Sequence, residues 1–497
     1  MRDFDFILGK HANRPELPPL TWNPDSPNSV NPHLLLCGGS GSGKTTLLLS
    51  LASYLAERGK HIFILDLKGD MVVRDSTGNI IGNYIEFTAW DSPYGLNPFE
   101  FSYGMTEEEL TSLIEKGTPS SEEIFKLKNS GPKVQINRII DIFKEFMPNM
   151  GAMQKNVIAM ALGDTYRLKG IEYDDYSTWT KELPSLKDTL FLFSRIKEEI
   201  LCMEPDLIDS DTNKFLTRSR RLLAKKAKLM QQLDEANAAG KKTETIESKI
   251  EGCEQDALSL FTEYFNSEFD KFTSRNAEDE PEEDAGEYPP LSTYGINIKD
   301  YASKKVLTTL ETVEAYLKAL ESSGVFHDNK PPVKAGLNII NISGLDLEPQ
   351  KFCVNLFLTR IFNFCKIRGP YHNLPNKHRG QKVDTYVLID ESKLIVSSKD
   401  RQVGSLTYLN RIATEARGYG LGICLGSQSA EHFISEALKN FDSQIILNTS
   451  AADFDIARKS FGIDKPLLEF TNKGWGKALV KCGREFVKIN LAHGANQ

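Results

Sequence analysis

The octapeptide Gly38-Gly39-Ser40-Gly41-Ser42-Gly43-Lys44-Thr45 constrains this chain more than any other stretch. It fits G-x-x-x-x-G-K-[ST] and sits between the apolar run Leu34–Cys37 and the apolar periodic stretch Leu47–Leu55. A buried strand entering a glycine turn and leaving as a helix is the setting this loop requires. Glycines let successive backbone N–H groups turn inward on a polyphosphate, and the helix adds its positive N-terminal end. Gly38, Gly39, Ser40, Gly41, Ser42, Gly43, Lys44, Thr45 and Thr46 are therefore the expected nucleotide contacts. Lys44 reaches the β- and γ-phosphates, and the Thr45 hydroxyl is a ligand for Mg²⁺.

Further apolar runs continue the strand pattern: His61–Asp66, Tyr84–Phe87, Leu337–Ile342, Thr385–Ile389, Leu421–Leu425 and Gln444–Leu447. Thr385–Ile389 is nearly continuous in apolar residues, as a parallel strand covered on both faces should be. It ends in Asp390-Glu391. The sequence places Asp390 in the Mg²⁺ shell and Glu391 one residue on, where it polarises an attacking water. Adjacent acids favour an ATPase that activates water over a small-molecule kinase. No N-K-x-D tetrapeptide for guanine and no L-S-G-G-Q-like signature occurs. Both absences point to a RecA-like P-loop (ASCE) core using ATP and Mg²⁺.

From about residue 105 to 330 the strand signals stop and helical periodicity takes over. Ile136, Ile139, Ile140 and Phe143 share one helix face, and Ile246, Ile250, Cys253, Ala257 and Leu260 form a coiled-coil-like stripe. With the helical stretch Phe215–Leu233 and Ala239-Gly240 between, the pattern predicts a helical hairpin. The expected organisation is a proline-rich, loop-like extension over 1–30 and the first part of an α/β core over 31–104. A large all-helical insertion with the hairpin follows over 105–330, and the second part of the core over 331–497.

Several segments together resemble the HerA–FtsK superfamily of hexameric ATPases, nearest its HerA-like branch. Asp66-Leu67-Lys68-Gly69-Asp70 is similar to that family's D-x-K/H-G-D/E turn, and Gly95-Leu96-Asn97-Pro98-Phe99 to its G-x-N-P-F/L segment. The helix from Gln154 to Leu168 looks like its Q-x-x-(x)-Y helix, and Asn341-Ile342-Ser343-Gly344-Leu345 like its D/N-x-S-G-L segment. Glu415-Ala416-Arg417-Gly418-Tyr419-Gly420 resembles E-G-R-K-Y-G, and Ser427-Gln428 the S/T-Q that follows. The resemblance implies that Arg417 is an arginine finger acting in trans, with Arg411 as the rival, and that Gln428 senses the γ-phosphate. A finger in trans implies an oligomer, and the family implies a ring of six. The reading is an ATP-hydrolysing DNA translocase or helicase that threads double-stranded DNA. A separate nuclease or other effector is expected in DNA processing or phage defence. An ATPase of a conjugation or protein-secretion apparatus, or a nucleotide-gated scaffold recruiting an effector, is the alternative.

The net charge is −8, so DNA contact has to come from local bases. Lys68, Arg74, Lys393, Lys399 and Arg401, on loops at strand ends, are the candidates. The basic cluster from Lys214 to Lys228 on the hairpin reads instead as a solvated helix face. No apolar run reaches the ~18 residues of a membrane helix, so no membrane insertion is expected. The seven cysteines are scattered without a C-x-x-C pair, which suits a reducing cytoplasm.

Overall fold

Short runs of Leu, Ile and Val with no polar face suit strands covered on both sides, and these runs build the core of one of the chain's two compact units. The computed structural model describes residues 5–492 apart from 27–28, 30, 75–76, 148–149, 204–209, 239–241, 276–287, 374–382, 392–407, 431–439, 451 and 483–484. The chain divides into two compact units. One comprises Met1–Lys155, Ile171–Lys187 and Tyr316–Gln497, the other Asn156–Gly170 and Asp188–Ala315.

The first unit carries an 11-stranded sheet. Its strands are β1 (Phe6–His11), β2 (Leu20–Trp22), β3 (Leu34–Cys37), β4 (His61–Asp66), β5 (Asn83–Glu86), β6 (Leu337–Asn341), β7 (Thr385–Ile389), β8 (Leu421–Ser427), β9 (Ser443–Ile446), β10 (Lys477–Cys482) and β11 (Phe486–Leu491). They lie in the order β2-β1-β11-β10-β9-β3-β8-β7-β4-β6-β5. From β9 to β5 every pair is parallel. Beyond β9, β10, β11, β1 and β2 extend the sheet as antiparallel strands. Every residue of β3, β6, β7, β8 and β9 is buried. Helix α1 (Lys44–Glu57) lays Leu47, Leu48, Leu51, Ala52 and Leu55 on this sheet.

Residues 1–30 differ from the loop-like extension expected of them, because they contain β1 and β2. The prolines Pro15, Pro18 and Pro19 fall between these strands and not within them. Phe6 and Leu8 point inward from β1. The Trp22 indole donates to Ser443 Oγ at 3.2 Å and meets Tyr386 edge to face.

Every element described between β5 and β6 is helical. Helices α2 (Glu107–Lys116), α3 (Ser121–Lys128) and α4 (Gly131–Phe146) belong to the first unit. Thr106 with Glu109, and Ser120 with Glu123, close capping boxes on α2 and α3. The Gly95–Phe99 turn anchors this region. Asn97 Nδ2 donates to Pro184 O at 2.8 Å and to Asp328 Oδ1 at 2.6 Å, and Arg360 donates to Asn97 O at 2.9 Å. A side chain at Gly95 would begin 2.3 Å from His327 O, so the turn admits only glycine there.

The second unit is helical. It holds the end of α5 (Ala152–Leu168), most of α6 (Leu186–Met203), then α7 (Ser210–Ala238), α8 (Glu244–Arg275) and the start of α9 (Lys304–Glu321). Helices α7 and α8 pack on each other, with Lys226 of the basic cluster paired to Glu254 at 2.6 Å. Asp164 is buried and accepts from Tyr301 Oη at 2.6 Å and Arg167 Nη1 at 2.7 Å. Among the described residues, no helix is long and apolar enough to cross a membrane.

Candidate active site

Parallel strands aim their carboxyl ends at one edge of a sheet, and loops leaving that edge converge. Here Cys37 of β3 lies opposite Ser427 of β8, Ile389 of β7 opposite Leu425, and Leu65 of β4 opposite Ile389. The residues that follow these strand ends therefore meet.

The phosphate loop leaves β3 with Gly38 N donating to Ser427 O at 3.0 Å and Gly39 N to Asn448 O at 2.7 Å. Gly43 adopts φ 94° as it caps α1, a conformation that disfavours any side chain. Lys44 Nζ donates to Gly38 O at 2.7 Å and Gly39 O at 3.0 Å. Burial pushes the Lys44 ammonium below its ordinary value, against the pull of the Asp390 and Glu391 carboxylates. Ser42 Oγ is buried with no hydrogen-bond partner. A buried ammonium and an unsatisfied hydroxyl beside this glycine turn fit a polyphosphate.

Thr45 Oγ1 donates to Asp390 Oδ2 at 2.5 Å, joining α1 to the end of β7. This pair of hard oxygen donors fits Mg²⁺, held with phosphate oxygens and water. Gly426 of β8 makes room for it, since a side chain there would begin 2.5 Å from Asp390 Oδ1. Glu391 has φ 68°, in the left-handed region, with its N–H on Asp390 Oδ1 at 3.0 Å. Its carboxylate oxygen Oε2 accepts from Lys68 Nζ at 2.6 Å and from Gln428 Nε2 at 2.7 Å. Burial drives the Glu391 carboxyl up, but Lys68, Gln428 and Lys44 outweigh it and leave the group below its ordinary value. Lys68 is raised in turn, its own burial being overcome by Glu391, Asp390 and Asp70.

Lys68 is held by the turn at the end of β4. Buried Asp66 accepts from the N–H groups of Lys68 at 3.1 Å, Gly69 at 2.8 Å and Met71 at 2.9 Å. Asp70 is raised by burial and by the carboxylates of Asp66 and Asp390. The sequence reading put Lys68 among the DNA-facing bases; its ammonium is seated on Glu391. The available signal was the D-x-K-G turn itself. What could not be read was that β4 lies beside β7.

The cluster thus gathers Lys44, Thr45, Asp390, Glu391, Gln428 and Lys68. Arg417 is not part of it within one chain. It is exposed in a 3₁₀ turn, Ala416–Tyr419, before the amino end of β8, whereas Gln428 follows the carboxyl end. Seven residues of strand separate them, roughly 20 Å at ~3.3 Å per residue. Helix α10 (Leu347–Arg368) follows β6, and Arg411 lies in the next helix described, α11 (Tyr408–Glu415), with its side chain outside the described residues. Arg74 is exposed and donates to Gly78 O at 2.8 Å across a small turn. Lys393, Lys399 and Arg401 lie outside the described residues.

The family described as "Helicase HerA, central domain" matches residues 8–361, most of the chain. The chain belongs to the HerA central-domain family. Its likeness to a curated HerA, the "DNA double-strand break repair helicase HerA" of Sulfolobus acidocaldarius, is 29% identity over 156 residues. That stretch is 31% of this HerA-family chain and 30% of the relative, so the match spans under a third of either protein. Among solved structures, VirB4 of Thermoanaerobacter pseudethanolicus aligns with a TM-score of 0.56 at 12% identity, covering 99% of this chain and 97% of that one. At that identity the likeness establishes a shared fold: the RecA-like P-loop α/β core expected from the strand pattern.

Proposed function

We propose that this HerA-family chain hydrolyses ATP with Mg²⁺ and spends the energy moving along double-stranded DNA. The observation that carries the hydrolysis is the meeting of Glu391, Thr45–Asp390 and the phosphate loop at one sheet edge, and membership of the helicase HerA central-domain family supports the DNA part. Lys44 and the loop N–H groups bind the phosphates, and Thr45 and Asp390 hold the metal. Bound Mg²⁺ neutralises charge that develops on the phosphate oxygens. Glu391 orients a water and takes its proton. Gln428 reports whether the terminal phosphate is present. Arg417 of a neighbouring subunit completes the site, and its distance from Gln428 within one chain supports a role in trans. Sites shared between subunits favour a closed ring, six by the family resemblance. We further propose that the ring works in the cytoplasm with a separate nuclease or effector protein, in DNA processing or phage defence.

A chain of net charge −8 grips DNA only where bases from several subunits converge on one axis. Binding through phosphates carries no base information and falls steeply with salt. The test is ATPase rate against duplex length at two salt concentrations, for wild type and for a Lys393→Ala, Lys399→Ala, Arg401→Ala triple variant. Expected are stimulation that grows with length, fades with salt and drops in the variant while basal hydrolysis remains. If DNA neither binds nor stimulates at low salt, the translocase reading fails, while hydrolysis without DNA leaves the secretion or scaffold alternatives.

A further inference from the structure

A general base needs more than a correct position: one oxygen of its carboxylate has to stay open to a water within about 2.6–3.2 Å. Glu391 starts from an unfavourable place for this. Its backbone sits at φ 68°, a left-handed conformation uncommon for a non-glycine residue, and that angle does not determine where the carboxylate points. Two donors do. Lys68 Nζ, at 2.6 Å, and Gln428 Nε2, at 2.7 Å, both reach the same oxygen, Oε2. They come from opposite sides: Lys68 follows β4 and Gln428 follows β8, the two strands that flank β7. The carboxylate is thus clamped by one oxygen between the loops of its two neighbouring strands, and neither clamp occupies Oε1.

We propose that Lys68 is a positioning residue for hydrolysis: with Gln428 it fixes Oε2 of Glu391 and thereby presents Oε1 to the attacking water. The proposal rests on reading Glu391 as the base. It also gives Gln428 a second duty beside phosphate sensing. The root of Lys68 is built for such a task. Asp66 is fully buried and spends both carboxylate oxygens on the N–H groups of residues 68, 69 and 71. Gly69 stands at φ 79°, where a side chain would begin 2.8 Å from Ser343 Oγ, so the turn is pinned on its other face as well. A fixed root leaves the lysine stem as the part that moves. The Lys68 side chain is 40% exposed and that of Glu391 9%, so the anchor lies far more open to solvent than the base. An ammonium is a point charge that holds an oxygen without demanding the planar geometry a guanidinium requires.

The experiment compares wild type with Lys68→Ala, Lys68→Arg, Glu391→Gln and the Lys68→Ala/Glu391→Gln pair in the full-length protein. It measures kcat and KM for ATP hydrolysis and, separately, the affinity for a fluorescent ATP analogue. Displacing a reacting group by about an ångström costs on the order of 100-fold in rate. With Gln428 still in place, Lys68→Ala should lower kcat at least about tenfold, with KM and analogue affinity changed by less than about twofold. Lys68→Arg should recover part of the loss. In the Glu391→Gln background, Lys68→Ala should cost nothing further, because a residue acting only through Glu391 has nothing left to position. An equal loss in both backgrounds, or a loss of analogue affinity, makes Lys68 a direct phosphate contact and overturns the proposal. An unchanged or raised kcat in Lys68→Ala also overturns it. A Glu391→Gln variant that hydrolyses normally removes the base assignment itself, a failure distinct from that of Lys68 alone.

Discussion

Protonating His33 should loosen the segment that carries Arg417. His33 precedes β3 and has no exposed surface. Its Nδ1 accepts from Ile423 N at 3.1 Å, so the ring proton sits on Nε2, which donates to Ala413 O at 2.8 Å. The ring thus ties β8 to α11, four residues before Arg417. Burial is the main force that pushes His33 down to about 4 from an ordinary 6.5, the Ala413 bond opposing it and Arg417 adding to it. A histidine lowered in the folded state binds protons more readily once released. Its contribution is therefore complete above pH 6.5 and is lost as pH falls from 6.5 toward 4. The full difference is about 3 kcal/mol, and about 2 kcal/mol of it is spent by pH 5, roughly a 30-fold rise in opening. Hydrogen exchange of peptides spanning 408–423, corrected for the intrinsic rate at each pH, reads this directly. Wild type should open about 20-fold more often at pH 5 than at pH 7. The His33→Gln variant, which keeps a donor and an acceptor but cannot titrate, should lack that component while sharing every carboxylate effect. Equal pH dependence in the two proteins would refute the reasoning.

Glu391→Gln should retain ATP binding and lose turnover by a factor on the order of 10²–10⁴, whereas Lys44→Ala should weaken binding itself. Phosphate release and nucleotide titration on both variants separate the two effects, and wild-type turnover in the first would remove Glu391 as base. Gly426→Ala adds a methyl that meets Asp390 Oδ1 at 2.5 Å and Leu48 Cδ1 at 3.3 Å. It should displace the Asp390 carboxylate from Thr45 and raise the Mg²⁺ concentration needed for half-maximal hydrolysis, with the circular dichroism spectrum retained; an unshifted Mg²⁺ curve speaks against it. Arg417→Ala subunits mixed with Lys44→Ala subunits should regain activity, because a trans finger is worth on the order of 10³-fold or more. No recovery in mixed rings confirmed by native mass spectrometry argues against a trans role.

The central strands were legible because parallel strands covered on both faces need unbroken apolar runs, and Thr385–Ile389 can hardly be anything else. The outer strands were not. In β11, Val487, Lys488, Ile489 and Asn490 alternate, and only Ile489 is fully buried. β1 is similarly mixed and lies near prolines that read as loop. At the site, Lys44, Thr45, Asp390 and Glu391 could be named from local motifs, since each motif encodes its own geometry. The Lys68–Glu391 pair could not, because it joins residues 323 apart whose strands are neighbours only in the finished sheet.

That separation also shapes how the chain comes into being. β3 has β8 and β9 as its neighbours, and β4 has β6 and β7. None of these four partners exists until the helical stretch after β5 has been synthesised. At ribosomal rates of ~5–20 residues per second, the strand that bears the phosphate loop waits roughly 20–80 seconds for both of its partners. Throughout that interval β3, apolar at all four positions, has both edges unpaired. The nascent chain therefore needs shelter, from α1 folding early over β3 or from a chaperone. Nonsense truncations between residues 100 and 380 should yield aggregates rather than folded fragments.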